Sequence, residues 1–157
     1  ELTGAVKGAV KIPVIVKLSP NVDKIGALAK TAEDAGADGI TAVNTLGPGM
    51  LIDIASKKPV LDFKMGGISG PALRPVAVRC VYEIYEAVKI PIIGVGGVTN
   101  GRDAMEMMLA GATQVGIGSA VYYRGANAFK KIGDETIELM KEHSYKSTKD
   151  ITGAAHE

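Results

Sequence analysis

The sequence predicts an α/β fold in which parallel β-strands alternate with helices. Four short, mostly apolar runs lie at 13–18, 38–43, 91–95 and 113–117, and segments with helical spacing of apolar residues lie between and after them. Two of these runs end in glycine-rich turns, and glycine accounts for 20 of the 157 residues. We therefore expect four βα units with right-handed crossovers, in a single domain spanning 1–157.

The segments between the strands have the spacing and the boundary residues of helices. Helices are predicted at 22–35, 71–88, 101–110 and 127–142, and residues 2–10 resemble the end of a further helix. Residues 45–70 have no helical period and are predicted to form an inserted hairpin, with short strands at 50–53 and 60–62. A last turn is predicted at 147–151, followed by a frayed tail.

Composition and charge exclude several classes of function. The 18 Lys and Arg residues are interspersed with 17 Asp and Glu residues, which argues against a nucleic acid or a membrane surface as partner. No long apolar run and no signal peptide are present, so a cytoplasmic location is expected. Cys80 is the sole cysteine, which excludes an internal disulfide. His143 and His156 have no ligand-type spacing around them, so no metal site is expected.

The third and fourth predicted strands end in similar glycine-rich turns. Gly96 and Gly97 follow one strand, and Gly118 and Ser119 follow the next. Glycine allows the backbone to approach an anion closely, and amides at the start of the following helix point toward it. In (β/α)8 barrels a phosphate site lies after the seventh and eighth strands. Plain turn chemistry is the alternative for each turn alone, but two in series favour a shared phosphate site.

Polar residues stand at the ends of the first two strands. Lys17 ends an apolar run at the edge where barrel enzymes place their active sites. The alternative is a lysine that reaches from the sheet end into solvent. Asn44 and Thr45 follow the second strand and offer an amide and a hydroxyl to a polar ring. Their alternative role is simply to terminate the strand.

Several blocks of this sequence resemble the flavin-dependent dihydroorotate dehydrogenases. They are Val-Lys-Leu-Ser-Pro-Asn-Val at 16–22, Val-Asn-Thr-Leu at 43–46, Gly-Gly-Ile-Ser-Gly-Pro-Ala at 66–72 and the two glycine-rich strand ends. The blocks stand in the family's order and at closely similar spacing, and the likeness extends from Ile12 to His156. The loop after Leu46 is slightly longer than the usual pattern.

The resemblance implies an FMN-binding (β/α)8 (TIM) barrel that oxidises dihydroorotate to orotate in pyrimidine biosynthesis. This chain would supply the C-terminal half, strands five to eight. The class 1 type with a partner subunit is favoured, and that partner would relay electrons to NAD through FAD and an iron–sulfur centre. The family's catalytic base lies on a cysteine-bearing loop of the N-terminal half. Cys80 lies mid-helix on an apolar stripe and is not that residue, so we expect no catalytic residue here and no activity from this chain alone.

The resemblance also assigns binding roles to individual positions. It implies that Lys17 contacts the flavin ring, where a cation would favour the negative charge of the reduced flavin. Asn44 and Thr45 would bind the substrate. The remaining cofactor contacts would be made mainly by backbone groups of Val43, Gly70, Gly96, Gly97, Gly118 and Ser119, with FMN phosphate and ribityl held by the glycines and the serine.

Two rival functions and a question of association remain. Another phosphate-binding barrel enzyme would share the glycine turns but not the blocks at 16–22 and 43–46, and a non-catalytic half-barrel fragment is the second rival.

In a half-barrel the outer strands lack partners on one side, which predicts a homo-oligomer or association with the missing half. Tyr122 and Tyr123 are expected to be packing residues, the alternative being a role as stacking partners. An apolar inner face is expected, formed by one alternating set of strand residues or the other; one such set is Val14, Val16, Ile40, Ala42, Ile92, Gly94, Val115 and Ile117.

Overall fold

A computed structural model describes residues 1–156 of the chain. Its elements, in chain order, are α1 (Leu2–Ala9), β1 (Ile15–Leu18), α2 (Ile25–Asp34), β2 (Gly39–Ala42), β3 (Leu46–Gly49), β4 (Ile52–Asp53), β5 (Lys58–Pro59), β6 (Gly66–Ile68), α3 (Arg74–Ala87), β7 (Ile92–Val95), α4 (Gly101–Leu109), β8 (Gln114–Gly116), α5 (Ala120–Arg124) and α6 (Ala128–Glu142). Short 3-10 turns lie at Pro71–Leu73, Thr148–Asp150 and Ala154–His156. Within residues 1–156, every helix is too short or too polar to cross a bilayer.

The central sheet confirms the predicted α/β architecture. Its order is β1-β2-β7-β8, and each neighbouring pair is parallel. One register row crosses all four strands, because Lys17 pairs with Thr41, Thr41 with Ile93 and Ile93 with Gln114. Parallel strands in chain order, with helices in the connections, form part of a (β/α)8 barrel. Among the described residues, β1 and β8 are the two outer strands of this sheet.

The helices cover one face of the sheet and bury the apolar set of strand residues. Ile40, Ala42 and Ile92 are buried in the same cluster as the apolar stripe of α3. Helices α2 and α3 approach closely at Gly26, where an added Cβ would lie 2.8 Å from the carbonyl oxygen of Glu83. A side chain at this position would therefore push the two helices apart.

The opposite face of the sheet carries the other alternating set, which is mixed in polarity. Ile15 is 51% exposed, Lys17 and Gln114 are exposed, and Thr41 and Ile93 are half-buried. The set that includes Ile40 and Ile92 lies under the helices instead. The expectation of an apolar inner face is therefore wrong for the register that this chain adopts.

The excursion between β2 and α3 forms a ribbon that pairs with itself. Strand β3 pairs antiparallel with β6, and β4 pairs with β5, so the predicted inserted hairpin is present. The predicted strand at 60–62 is wrong, because the returning strand is Lys58–Pro59. The chain reverses at Lys57, which has a positive φ of 57°. Pro59 lies opposite Ile52 in this two-stranded tip. Proline has no backbone N–H to donate, but the tip is exposed to solvent, so the lost hydrogen bond costs little.

The C-terminal segment packs against the helices, so the expectation of a frayed tail is wrong. Ile151 is fully buried in a cluster with Met105 and Met108. The ring of His156 stacks on Tyr82 with centroids 3.7 Å apart. An apolar side chain and an aromatic stack thus fix residues 151–156 against the helices.

Candidate functional site

The carboxyl ends of the four central strands border one cleft. Its volume is about 120 Å³. The lining residues are Lys17, Val43, Asn44, Thr45, Ser69, Gly70, Leu73, Val95, Gly96, Gly97, Val98, Gly116, Gly118 and Ser119. Every residue that the sequence predicted as a cofactor or substrate contact is among them. The structure thus brings these positions together, and their roles stay predictions.

The turn after β7 has a conformation that only glycine adopts easily. Gly96 and Gly97 have φ values of 139° and 75°. A Cβ at Gly97 would lie 2.7 Å from both the Arg74 Cβ and the Gly70 carbonyl oxygen. Neither amide donates a hydrogen bond to any of residues 1–156. Both are therefore available to a ligand.

The turn after β8 is open where the first turn is crowded. A Cβ at Gly118 would meet no atom within 4 Å. Within the described part of the chain, the amides of Gly118 and Ser119 also donate to no acceptor, and α5 begins directly after them without a side-chain cap. Unpaired amides at a helix start attract anions. Together the two turns leave four backbone amides without an acceptor among residues 1–156, all of them in residues that line one cleft.

The end of β2 is held by main-chain hydrogen bonds to both neighbouring strands. The Val43 amide donates to the Val95 carbonyl at 2.7 Å, and the Asn44 amide donates to the Leu18 carbonyl at 2.8 Å. The side chains of Asn44 and Thr45 are exposed at this point. Thr45 lies against the returning ribbon strand, since a Cβ at Gly67 would be 2.1 Å from its Oγ1. The ribbon therefore borders the cleft.

A buried carboxylate that the sequence analysis missed holds the loop after β7. Asp103 is 2% exposed and forms an ion pair with Arg74. It accepts hydrogen bonds from the Thr99 amide at 2.9 Å and the Thr99 hydroxyl at 2.7 Å. Asn100 caps α4 by accepting from the Asp103 amide at 2.9 Å. The spacing of Asn100 and Asp103 is that of a capping motif, and this signal could have identified Asp103.

A second ion pair joins the elements that follow the two turns. Arg124, at the end of α5, donates to both carboxylate oxygens of Glu135, at 2.5 Å and 3.1 Å, and to the Thr99 carbonyl at 2.8 Å. Glu135 also accepts from the Gly101 amide at 2.7 Å. The hydrogen bonds from Arg124 lower the pKa of the Glu135 carboxyl, and the pKa of Arg124 is raised in turn. No short-range sequence pattern indicated this pair.

Comparison with known proteins decides the family. The sequence model of the dihydroorotate dehydrogenase family matches residues 1–140. The chain belongs to the dihydroorotate dehydrogenase family. It is 52% identical over 153 residues to the catalytic subunit of dihydroorotate dehydrogenase B (NAD(+)) of Methanocaldococcus jannaschii, covering 98% of this chain and 49% of the relative.

Two further relatives of the same name are comparably similar. The protein of Methanothermobacter thermautotrophicus is 47% identical over 156 residues, covering 99% of this chain and 52% of the relative. That of Pyrococcus horikoshii is 48% identical over 155 residues, covering 99% and 51%. The chain thus spans about half the length of these curated relatives of the dihydroorotate dehydrogenase family.

Three other residues singled out in the sequence lie outside the cleft of this dihydroorotate dehydrogenase family member. Cys80 is fully buried, and burial raises the pKa of its thiol, which suits packing rather than proton transfer. Tyr122 and Tyr123 are 90% and 61% exposed and contact each other edge to face, so they pack against each other and not into the core. Among residues 1–156, no three His, Cys, Asp or Glu side chains converge as metal ligands would.

Proposed function

We propose that this chain supplies the FMN site and part of the substrate site for the oxidation of dihydroorotate to orotate in pyrimidine biosynthesis. The observation that carries the proposal is the single cleft lined by all the positions expected to contact cofactor or substrate. The names of the relatives support the choice of reaction. The proposal treats the chain as one part of the enzyme.

The two glycine turns would hold the phosphate end of FMN. Gly96 and Gly97 offer amides on one side, and Gly118 and Ser119 offer them on the other. Backbone donors suit an anion because they need no side-chain ordering and point from fixed positions. The absence of room for a Cβ at Gly97 supports this assignment. Gly70, whose carbonyl oxygen borders that turn, would contact the ribityl chain.

Lys17 and Val43 would lie against the flavin ring. FMN, when bound, would supply the hydride acceptor of the reaction. Lys17 is exposed at the end of β1 and forms no ion pair within residues 1–156, so its charge is available to the cleft. A fixed cation there would favour negative charge gained by a neighbouring ring. Val43 is almost fully buried at the end of β2 and would present its backbone.

Asn44 and Thr45 would bind the substrate. An amide side chain both donates and accepts, and a hydroxyl adds a further donor and acceptor, which matches a ring bearing imide and carboxylate groups. Both side chains are exposed toward the cleft they line. The catalytic base would come from outside these residues, since Cys80 is buried away from the cleft.

The enzyme would work with partners. The relatives are named catalytic subunits, which implies a second subunit in those proteins. We propose that an electron-transfer subunit, with FAD and an iron–sulfur centre, passes electrons to NAD. The outer edges of β1 and β8 have no strand partner among the described residues, so they would be covered by the rest of the barrel or by a second copy. Sedimentation tests this: a stable monomer of the isolated chain at high concentration contradicts it.

The decisive experiment is a flavin and orotate titration of the purified protein. Binding should shift the flavin absorption bands, and added orotate should perturb them again. Asn44→Ala should weaken orotate binding at least tenfold, because a substrate hydrogen bond is lost, while FMN affinity stays unchanged. Gly97→Val should abolish FMN binding. If a sugar phosphate binds at the cleft and FMN does not, the chain is instead part of another phosphate-binding barrel enzyme.

A further inference from the structure

A second cavity lies on the outer side of the molecule, away from the proposed flavin cleft. Its volume is about 340 Å³, and it opens between α4 and α6 near the start of α3. Ligand pockets for small molecules begin at about 300 Å³. The cavity is lined by Arg74, Arg102, Met105, Glu106, Leu109, Leu139 and His143. None of these residues lines the flavin cleft.

The floor of this outer cavity is apolar and anchored in the core. Met105 is buried in a cluster with Met108 and Ile151, and Leu109 and Leu139 pack against that cluster. These side chains offer a hydrophobic surface that is open on one side. The apolar body of a small molecule would gain burial there without displacing any element of the fold.

The rim of the outer cavity carries two arginines, of which Arg102 has no ion-pair partner within residues 1–156. Arg102 is exposed. Within residues 1–156, no carboxylate oxygen lies within 4.0 Å of its guanidinium nitrogens, so it forms no ion pair there. Arg74 pairs with the buried Asp103 and contacts Glu106 at 3.3 Å. Glu138 and Glu142 share a neighbouring groove with Arg102 but do not line the cavity. The rim thus offers one unpaired guanidinium, Arg102, beside Arg74, whose guanidinium contacts Asp103 and Glu106.

We propose that the outer cavity binds a compact organic carboxylate. The apolar body rests on Met105, Leu109 and Leu139, and the carboxylate is held by Arg102 and by the Arg74 guanidinium that Glu106 now contacts. Guanidinium groups suit this role because their planar donors match the two oxygens of a carboxylate. Glu106 is exposed and joined to Arg74 by one long contact, so a ligand carboxylate can replace it at little cost.

The test is a titration of the purified protein with benzoate, followed through the methyl signals of Met105 and Leu139. Two matched probes separate the two halves of the proposal: benzyl alcohol keeps the ring without the charge, and acetate keeps the charge without the ring. We expect saturable binding of benzoate and at least tenfold weaker binding of either control. Equal affinity for benzoate and benzyl alcohol, or no saturation by benzoate, overturns the proposal.

Three variants assign the site. Arg102→Gln should weaken benzoate about tenfold, because one charge-assisted hydrogen bond is lost. Arg79→Gln removes an exposed arginine of α3 that pairs with Glu83 and does not line the cavity, so it should leave the affinity unchanged. Glu106→Gln should strengthen binding, since it removes the competitor for Arg74. Unchanged affinity in Arg102→Gln, or weaker binding in Glu106→Gln, refutes the site; neither result bears on FMN binding.

Discussion

The glycine turns and the ribbon both border the proposed flavin cleft, but they are held in opposite ways. The loop that follows the turn after β7 is held by hydrogen bonds from Thr99 to the buried Asp103. The ion pair of Arg124 with Glu135 also bonds to this loop, through the Thr99 carbonyl and the Gly101 amide. Within residues 1–156, the strands of the ribbon at 46–68 pair only with each other, and the Gly47 amide donates one hydrogen bond to the Asn21 side chain at 3.1 Å. Its large exposed side chains are Met50, Leu51, Ile52, Ile54, Val60, Leu61, Phe63, Met65 and Ile68.

This difference separates two tasks at one cleft. An anion bound through backbone amides requires those amides at fixed positions, and buried polar side chains supply that rigidity. A ribbon that pairs with itself and has few contacts to the core can separate from the rest of the fold at low cost in free energy. It exposes side chains, whereas the glycine turns expose backbone amides. We therefore expect substitutions at the crowded turn after β7 to change stability and cofactor affinity together, and substitutions at the ribbon to leave stability nearly unchanged.

The largest effect should come from filling the crowded turn. Gly97→Val places a β-branched side chain at a φ of 75°, against Arg74 and the Gly70 carbonyl. We expect a loss of about 3 kcal/mol or more in the free energy of unfolding. Gly118→Ala is the matched control, because its Cβ meets no atom. Chemical denaturation measures both, and equal losses in the two variants would contradict the contrast between the turns.

Asp103→Asn should have the next largest effect. The substitution leaves Arg74 without its buried partner and weakens the two hydrogen bonds from Thr99. Breaking a fully buried pair costs about 3–5 kcal/mol, and we expect about 2 kcal/mol here because the Arg74 side chain is 36% exposed. Urea denaturation provides the measurement. A variant as stable as the parent protein would show that Asp103 does not stabilise the loop after β7.

Glu135→Gln should produce a smaller loss that depends on pH. The folded-state pKa of Glu135 is lowered from its ordinary value of 4.5 by Arg124. Its stabilisation is therefore complete above that pH and disappears as the pH falls through the lower folded-state value. The stability difference between parent and variant should shrink on acidification from pH 6 toward pH 3. A difference independent of pH would exclude the ion pair as its source.

The smallest effect should follow from polar substitution at the ribbon. Ile54 and Phe63 are 90% and 93% exposed, so Ile54→Ser with Phe63→Ser removes almost no buried contact. We expect a change within about 0.5 kcal/mol in the free energy of unfolding. Thermal unfolding measures it, and a loss above 2 kcal/mol would mean that the ribbon packs against the sheet.

The sheet and the cleft could be predicted because their signals are local. Each strand is one mostly apolar run, and each turn is indicated by the glycines that follow its strand, Gly96 and Gly97 in one turn and Gly118 in the other. Parallel strands bring their carboxyl ends to one edge, so residues after different strands meet without further information. Lys17 and Asn44 lie in the same cleft for that reason.

The parts that were missed depend on contacts between distant positions. Arg74 and Asp103 are far apart in sequence, and nothing near either residue indicates the other. The chain reverses at Lys57 in the tip of the ribbon, and the returning strand has only two residues. So short a strand has no alternating pattern that could fix its register from the sequence. The segment after residue 151 was predicted to fray, but Ile151 is buried and His156 stacks on Tyr82, and both contacts join positions that are far apart in sequence.

Arg74 lines the outer cavity and also lies against the turn at Gly97, and this has a consequence for combined substitutions. Its Cβ borders the turn at Gly97, and its guanidinium reaches Asp103 and the rim of the outer cavity. Free-energy changes add only when the substituted sites share no partner. In a double-mutant cycle, the changes in the free energy of unfolding caused by Arg74→Gln and Gly97→Ala should therefore be non-additive. The changes caused by Arg102→Gln and Gly118→Ala should be additive, because these two residues line different cavities.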